Sequence, residues 1–191
     1  MSPRFHKSIT LIELLVSIVL MSLIVLSLGS INLYSHYHVI NADRRAKVQN
    51  DVTYVLEHMA KNLSQAIGDA TRQTVTIENP NSNTRRIRVW IDYNSNAIRD
   101  AADVEIQYEW ERGPARIRYW PDYTHNSNPS GSEIISKHIT EFIIGQQDNY
   151  VEIFQLTGCW DPDGSPSACG TSDNPSVTMF TRIKMSSVST N

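Results

Sequence analysis

The most constraining feature of this sequence is an apolar run near its N-terminus, where residues 9–34 contain a single charged side chain, Glu13. About 20 apolar helical residues span the core of a bilayer, and no proline interrupts this run. Arg4 and Lys7 precede it, and basic residues at this position hold the N-terminus in the cytoplasm. The pattern predicts a single-pass membrane anchor followed by a domain on the other side of the membrane.

A cleaved secretory signal peptide is the alternative interpretation of the same run. Such a signal has a shorter apolar region that ends in a small-x-small cleavage site. Here the run is longer, and a helical pattern continues beyond it. The sequence therefore favours an anchor that stays in the mature chain.

The rest of the sequence has room for one globular domain. The chain has 191 residues, and its 40% hydrophobic content is enough for a packed core. Lys and Arg total 17 against 20 Asp and Glu, which gives a net charge of −3. This balance creates no general attraction to nucleic acid, so a nucleic-acid partner is not expected.

Glu13 is anomalous because it places a carboxylate inside the apolar run. Such a group costs about 2.5–3.5 kcal/mol on membrane-insertion scales, so it needs a partner. One interpretation is a glutamate near the interface that reaches water or stays protonated. The other is a pair with a charged α-amine on Ile9 of a neighbouring subunit, which a cut after Ser8 would create.

The segment around Glu13 resembles the class III signal of type IV prepilins and type II secretion pseudopilins. The resemblance lies in Lys7-Ser8-Ile9-Thr10-Leu11-Ile12-Glu13 and the apolar residues that follow. It differs at Ser8, where the family nearly always has Gly, and at Ile9, where Phe is commonest. The resemblance implies that a prepilin peptidase cuts between Ser8 and Ile9 and methylates the new N-terminus.

The same resemblance implies a division of the chain and a set of partners. Residues 1–8 would be a leader, residues 9–40 a transmembrane and filament-core helix, and residues 41–191 a periplasmic pilin-like domain. The partners would be the prepilin peptidase, other pilins or pseudopilins that contact the N-terminal helix, and the inner membrane. The long helix and large loops resemble minor pilins of the PilW type or J-type pseudopilins more than a major pilin.

The helical pattern continues beyond the membrane segment. Apolar residues recur at steps of three and four, whereas Asp51, Glu57 and Lys61 fall on other faces; the apolar set is Val48, Val52, Val55, Met59, Leu63 and Ala66. Gly68 supplies a helix stop, so the helix is predicted to extend to about residue 67. A coiled-coil seam between two chains is the alternative to packing on a sheet.

Beyond residue 74 the period changes to two, which predicts strands. Alternating runs cover residues 86–91, 104–111 and 116–119, with Gly113-Pro114 as a turn, and residues 150–156 and 177–185 are later candidates. The first three of these runs form an antiparallel meander with one buried face. The predicted fold class is α+β, with one long N-terminal helix packed on an antiparallel sheet, and the resemblance implies the same pilin-like arrangement.

The meander carries alternating charges that permit two interpretations. Arg86, Arg88, Arg116 and Arg118 could form a basic stripe for DNA. Neighbouring strands carry Glu105, Glu109 and Glu111, however, and cross-strand pairs of opposite charge account for the same pattern. The sequence favours the paired interpretation.

A polar loop follows the first of these runs. Its oxygen-bearing residues stand at positions 1, 3, 5, 9 and 12 of a twelve-residue loop, the spacing of a Ca²⁺-binding loop, and are Asp92, Asn94, Asn96, Asp100 and Asp103. Ala97 replaces the usual glycine, and strands rather than helices flank the loop. An ordinary hairpin loop, in which Asp and Asn favour turns, is the alternative to a Ca²⁺ site.

The only cysteines are Cys159 and Cys169. Two cysteines alone cannot complete a structural zinc site, and in a domain outside the cytoplasm they are expected to form a disulfide. Closing so short a loop contributes about 2–3 kcal/mol to stability.

The motifs of common catalytic sites are missing from this sequence. It contains no glycine-rich phosphate loop, no HExxH and no GxSxG, and His36 and His38 lie too close to the apolar run to indicate a metal site. We therefore expect a non-enzymatic subunit that primes or caps a type IV pilus or type II secretion pseudopilus. The alternative is a membrane-anchored periplasmic binding module, in which the helix is a simple tether.

Overall fold

The computed structural model describes residues 10–67, 74–94, 100, 102–123, 131–147, 150–161 and 169–185. The described chain contains one α-helix followed by eight β-strands. These are α1 (Leu11–Ser64), β1 (Val75–Asn81), β2 (Thr84–Ile91), β3 (Val104–Glu111), β4 (Arg116–Trp120), β5 (Glu133–Ser136), β6 (Ile139–Gln147), β7 (Tyr150–Cys159) and β8 (Ser176–Lys184). The predicted α+β class, a long N-terminal helix packed on antiparallel sheet, is confirmed.

The chain divides into two units, Met1–Ala42 and Asp43–Asn191, and α1 contributes residues to both. In the first unit the helix is apolar around its whole circumference. In the second unit it is amphipathic, and its buried residues are Val48, Val52, Val55, Leu56, Met59 and Leu63. Their spacing of three and four residues places them on one face, as the sequence predicts.

The helix ends at Ser64, three residues before the predicted end at about residue 67. The reason is that the next residues leave the helix to pair with a strand. Ala66 forms an isolated antiparallel bridge with Ile91, and the Ile67 N–H donates to the Trp90 carbonyl at 2.9 Å. Gly68, the predicted stop, lies outside the described residues.

The strands form two antiparallel sheets, and the predicted meander is β2, β3 and β4 of the larger sheet. The larger sheet has the order β1-β2-β3-β4-β5 and the smaller has the order β6-β7-β8. Each presents one apolar face to the core, where Ile87, Ile117, Ile139, Ile153 and Leu156 are all fully buried. Full burial of one such side chain contributes about 1.5–3 kcal/mol, so these faces supply much of the stabilising free energy.

The smaller sheet approaches α1 very closely at Gly158 in β7. A Cβ atom at this position would lie 2.5 Å from Val52 Cγ2 and 3.0 Å from Val48 Cγ1. Only glycine leaves the two elements at this distance without displacing a core side chain. Gly158 therefore fixes how closely the helix packs on the second sheet.

Candidate subunit-assembly site

The described residues of the first unit present an exposed apolar surface. Large apolar side chains from Leu11 to Val39 are all exposed, the least of them Val16 at 49%. By length and composition, α1 is the one helix among the described residues able to cross a membrane. A helix that is hydrophobic all round and whose large apolar side chains are exposed fits a bilayer or a bundle of similar helices.

Thr10 and Glu13 form a capping box at the start of this helix. The Thr10 backbone N–H and Oγ1 donate to Glu13 Oε2 at 2.9 and 3.0 Å, and the Glu13 N–H donates to Thr10 Oγ1 at 3.3 Å. These bonds satisfy backbone N–H groups that the first turn of a helix leaves without partners. The Thr-x-x-Glu spacing is a known capping signature. The sequence therefore contains the signal for this contact, although the contact was not predicted. The cleavage residues Ser8 and Ile9 lie outside the described residues.

Four serines interrupt the apolar surface, and each is satisfied within the helix. The hydroxyls of Ser17, Ser22, Ser27 and Ser30 donate to the carbonyl four residues earlier, at 2.6–2.9 Å. A hydroxyl bonded in this way does not need water as a partner. The serines are therefore compatible with a lipid or helix-bundle environment.

In the second unit a polar cluster joins α1 to the end of β5 and the residues that link it to β6. Ser136 Oγ donates to Asp51 Oδ2, and His138 Nδ1 lies 3.2 Å from the same oxygen. The His138 ring stacks on Trp160 with an interplanar angle of 3°, and Lys47 Nζ lies 5.5 Å from the Trp160 ring centre. The helical period of the sequence predicts only that Asp51 lies on a face away from the core. A period gives no information on polar contacts with residues that are distant in the sequence.

A second polar cluster joins α1 to the larger sheet. The buried Tyr108 hydroxyl accepts a bond from Asn62 Nδ2 at 2.6 Å and lies 2.9 Å from His58 Nδ1. Burial raises the pKa of Tyr108 above its ordinary value, and burial of the imidazole, followed by the charge of Lys61, lowers the pKa of His58. Both groups therefore stay neutral in the folded domain near neutral pH.

Cys159 and Cys169 are joined in a disulfide, as the sequence predicts. Residues 162–168 of the enclosed loop lie outside the described residues. The base of the loop is held by the buried Asn174, whose amide exchanges two bonds of 2.8 and 2.9 Å with the Asp161 backbone. Arg44 Nη1 donates to the Asp173 carbonyl at 2.7 Å, so the helix also holds this segment.

The loop proposed as a Ca²⁺ site is only partly described, because Asn96 lies outside the described residues. Asp103 is 1% exposed and accepts bonds from the N–H groups of Asp100 at 2.8 Å and Tyr93 at 3.3 Å. Asp100 accepts the N–H of Ala102 and an amide bond from Asn94. These contacts are those of a polar turn, which supports the hairpin-loop alternative for the described carboxylates. Asp92 also interacts with another group of the chain. The Ca²⁺ site stays a prediction.

Four arginines of the larger sheet lie beside glutamates of neighbouring strands. Arg86 pairs with Glu109, Arg116 with Glu111, and Arg88 Nη2 lies 3.2 Å from Glu78 Oε2. Arg118 lies 3.8 Å from Glu111. Trp110 and Trp120 are buried. The arginines thus have carboxylate neighbours, which supports the paired interpretation over a basic stripe.

Within the part of the chain that the structure describes, no three His, Cys, Asp or Glu side chains are grouped as metal ligands would be. Comparison with protein-family models, with curated proteins and with solved structures finds no match to this chain. The functional proposal therefore depends on the residues and contacts of the chain itself.

Proposed function

We propose that this chain is a minor pilin or pseudopilin, a structural subunit rather than an enzyme. A prepilin peptidase cuts it between Ser8 and Ile9, and it then primes or caps a type IV pilus or a type II secretion pseudopilus. The segment from Lys7 to Glu13, which resembles the signal of that family, supports the processing step.

The observation that best supports the proposal is that the surface of α1 changes from apolar to amphipathic along its length. One 54-residue helix is apolar and exposed in the first unit, and in the second unit its amphipathic face is the centre of the core. Such a helix can hold a subunit in a bilayer and later pack against equivalent helices, while the globular domain keeps its fold. A simple tether needs no continuous helix of this kind, since a flexible linker would serve.

Glu13 has the central role in assembly. Within its own chain the carboxylate caps the helix through Thr10. In a filament it pairs with the α-amine of Ile9 on an adjacent subunit, which offsets the cost of burying both charges and sets the axial register. The cut after Ser8 is what supplies that amine.

The same helix supports the proposed location. Before assembly the chain is a single-pass protein of the inner membrane with its globular domain in the periplasm. After assembly it lies in a cell-surface pilus or a periplasmic pseudopilus. The disulfide between Cys159 and Cys169 supports an oxidising location for the globular domain.

The proposal is tested by replacing Glu13 with Gln and measuring incorporation into sheared filaments by immunoblotting. We expect Glu13→Gln to stay in the membrane and be cleaved but to be lost from filaments, because it cannot pair with the Ile9 amine. Glu57→Gln is the matched control, since Glu57 is an exposed glutamate of the same helix in the second unit. It should enter filaments normally.

Equal incorporation of the two variants would contradict the assembly role. If Glu13→Ala also left localisation and function unchanged, the chain would fit a membrane-anchored binding module instead.

A further inference from the structure

Four aromatic or imidazole rings lie within five residues of α1 in the first unit. They are Tyr34, His36, Tyr37 and His38, and Tyr34 packs against the His38 ring edge to face at 4.1 Å. The two tyrosines are 68% and 64% exposed, and both histidines are exposed. At 3.6 residues per turn, four positions in this interval project on several sides of the helix. The rings therefore form a belt around it; we call these four residues the ring belt.

The ring belt lies where a bilayer would end. The apolar segment at residues 11–33 spans about 34 Å at 1.5 Å per residue, close to the hydrocarbon thickness of about 30 Å. The next formally charged residue is Asp43, beyond the belt. Tyrosine is enriched at the interface between hydrocarbon and water, because its ring prefers an apolar neighbour and its hydroxyl a polar one.

We propose that the ring belt binds phospholipid headgroups on the exported side of the membrane and fixes the depth of the helix before assembly. The phenol hydroxyls and imidazole N–H groups donate hydrogen bonds to phosphate and ester oxygens, and the ring faces pack on the glycerol region. Continuity with the exposed apolar helix, which is the membrane-facing surface, identifies lipid as the occupant. This inference rests on the membrane insertion that the proposed function includes. It adds the position along α1 at which the membrane ends.

The test uses the full chain, expressed without other pilins, in vesicles of phosphatidylethanolamine and phosphatidylglycerol. Single cysteines are introduced at Ser30, Ser35 or Asn41, and a membrane-impermeant maleimide is added to the side that holds the globular domain. The native cysteines do not compete, because they are joined in a disulfide. We expect complete labelling of Asn41→Cys and none of Ser30→Cys, with the boundary within the ring belt.

The two tyrosines of the ring belt are then removed by Tyr34→Ala with Tyr37→Ala. We expect the position on α1 at which labelling begins to shift by about one helical turn, 5.4 Å. The maleimide reactivity of Ser35→Cys should therefore differ from its reactivity in the chain that keeps both tyrosines. Tyr54→Ala is the matched control, because Tyr54 is an exposed tyrosine of the same helix outside the belt. It should leave the boundary in place.

Two results would overturn the inference and can be separated from failure of the proposed function. If the chain resists carbonate extraction but the boundary is unchanged without the two tyrosines, the ring belt does not fix the depth of the helix. The rings also do not mark the edge of the membrane if Ser30→Cys labels as completely as Asn41→Cys. If carbonate removes the wild-type chain from the vesicles, membrane insertion itself fails, and with it the proposed function.

Discussion

The close approach of β7 to α1 gives a sharp test of how the helix is docked. Replacing Gly158 with Ala would place a Cβ atom 2.5 Å from Val52 Cγ2. Ordinary carbon–carbon contacts lie at about 3.5–4.0 Å, so the new atom is about 1 Å too close to a fully buried side chain. Both elements belong to the core, and neither can move without displacing other side chains.

Overpacking of this kind costs about 1–3 kcal/mol, and at about 2–4 °C per kcal/mol the melting temperature of the globular domain should fall by about 2–12 °C. The assay is thermal unfolding of the full chain in detergent micelles, followed by near-ultraviolet circular dichroism. Val52→Ala removes the clashing methyl, so the double variant should be more stable than the sum of the single effects predicts.

The matched control is Gly145→Ala in β6. Its Cβ atom would lie 2.7 Å from Phe154 Cε2, a clash almost as severe by distance. The Phe154 ring is 57% exposed, however, and can swing into solvent at little cost. A loss of stability for Gly145→Ala equal to that for Gly158→Ala, or simple additivity with Val52→Ala, would refute the reasoning.

Three further predictions concern the globular domain. Replacing Cys159 and Cys169 with Ser should lower the free energy of unfolding by about 2–3 kcal/mol, as measured by urea denaturation, and an unchanged value would show that the loop needs no covalent closure. Because burial lowers the pKa of His58, the unfolded chain binds a proton more readily, so stability should fall as the pH drops below about 6.5, the ordinary value for histidine. His58→Gln should flatten that dependence in melts between pH 5 and pH 8, and an identical slope would disprove the link. Asp103→Ala should cost about 1–3 kcal/mol, because two N–H groups lose their acceptor. The loss should be equal in calcium and in chelator; a loss seen only with calcium present would support the Ca²⁺ site instead.

The helix was predictable because its signals are local and repeated. Apolar residues from Val48 to Ala66 follow a helical period, and all six predicted core positions are buried. Strands β2, β3 and β4 were predictable for the same reason, since their residues alternate in the sequence, whereas β1 was not among the predicted runs. The Arg–Glu pairs followed from that alternation, because antiparallel neighbours bring alternate residues together.

The second sheet was only partly predictable, because its strands contain irregularities. In β6 the register shifts between Ile139 and Glu141 and again between Ile143 and Ile144, so the buried residues do not alternate strictly. A bulge moves every later side chain to the other face, which removes the period-two signal. β5 is short, with four residues, and was missed as well.

The contacts that hold the helix in the domain depend on tertiary structure. Asp51 contacts Ser136 and His138, which lie 85 and 87 residues further along the chain. Nothing in the local sequence around Asp51 distinguishes it from a solvated residue. The Thr10–Glu13 capping box is different, since its signal is local and complete within four residues.

The identity of the N-terminal residue in the mature chain tests the central claim most directly. The chain should be purified from its native membrane, digested and analysed by mass spectrometry. A terminal peptide that begins at Ile9 and carries one methyl group is the predicted result, because the proposed cut creates the cation with which we propose that Glu13 pairs. A chain that still begins with Met1 would contradict the account, since its apolar helix could then serve only as a tether.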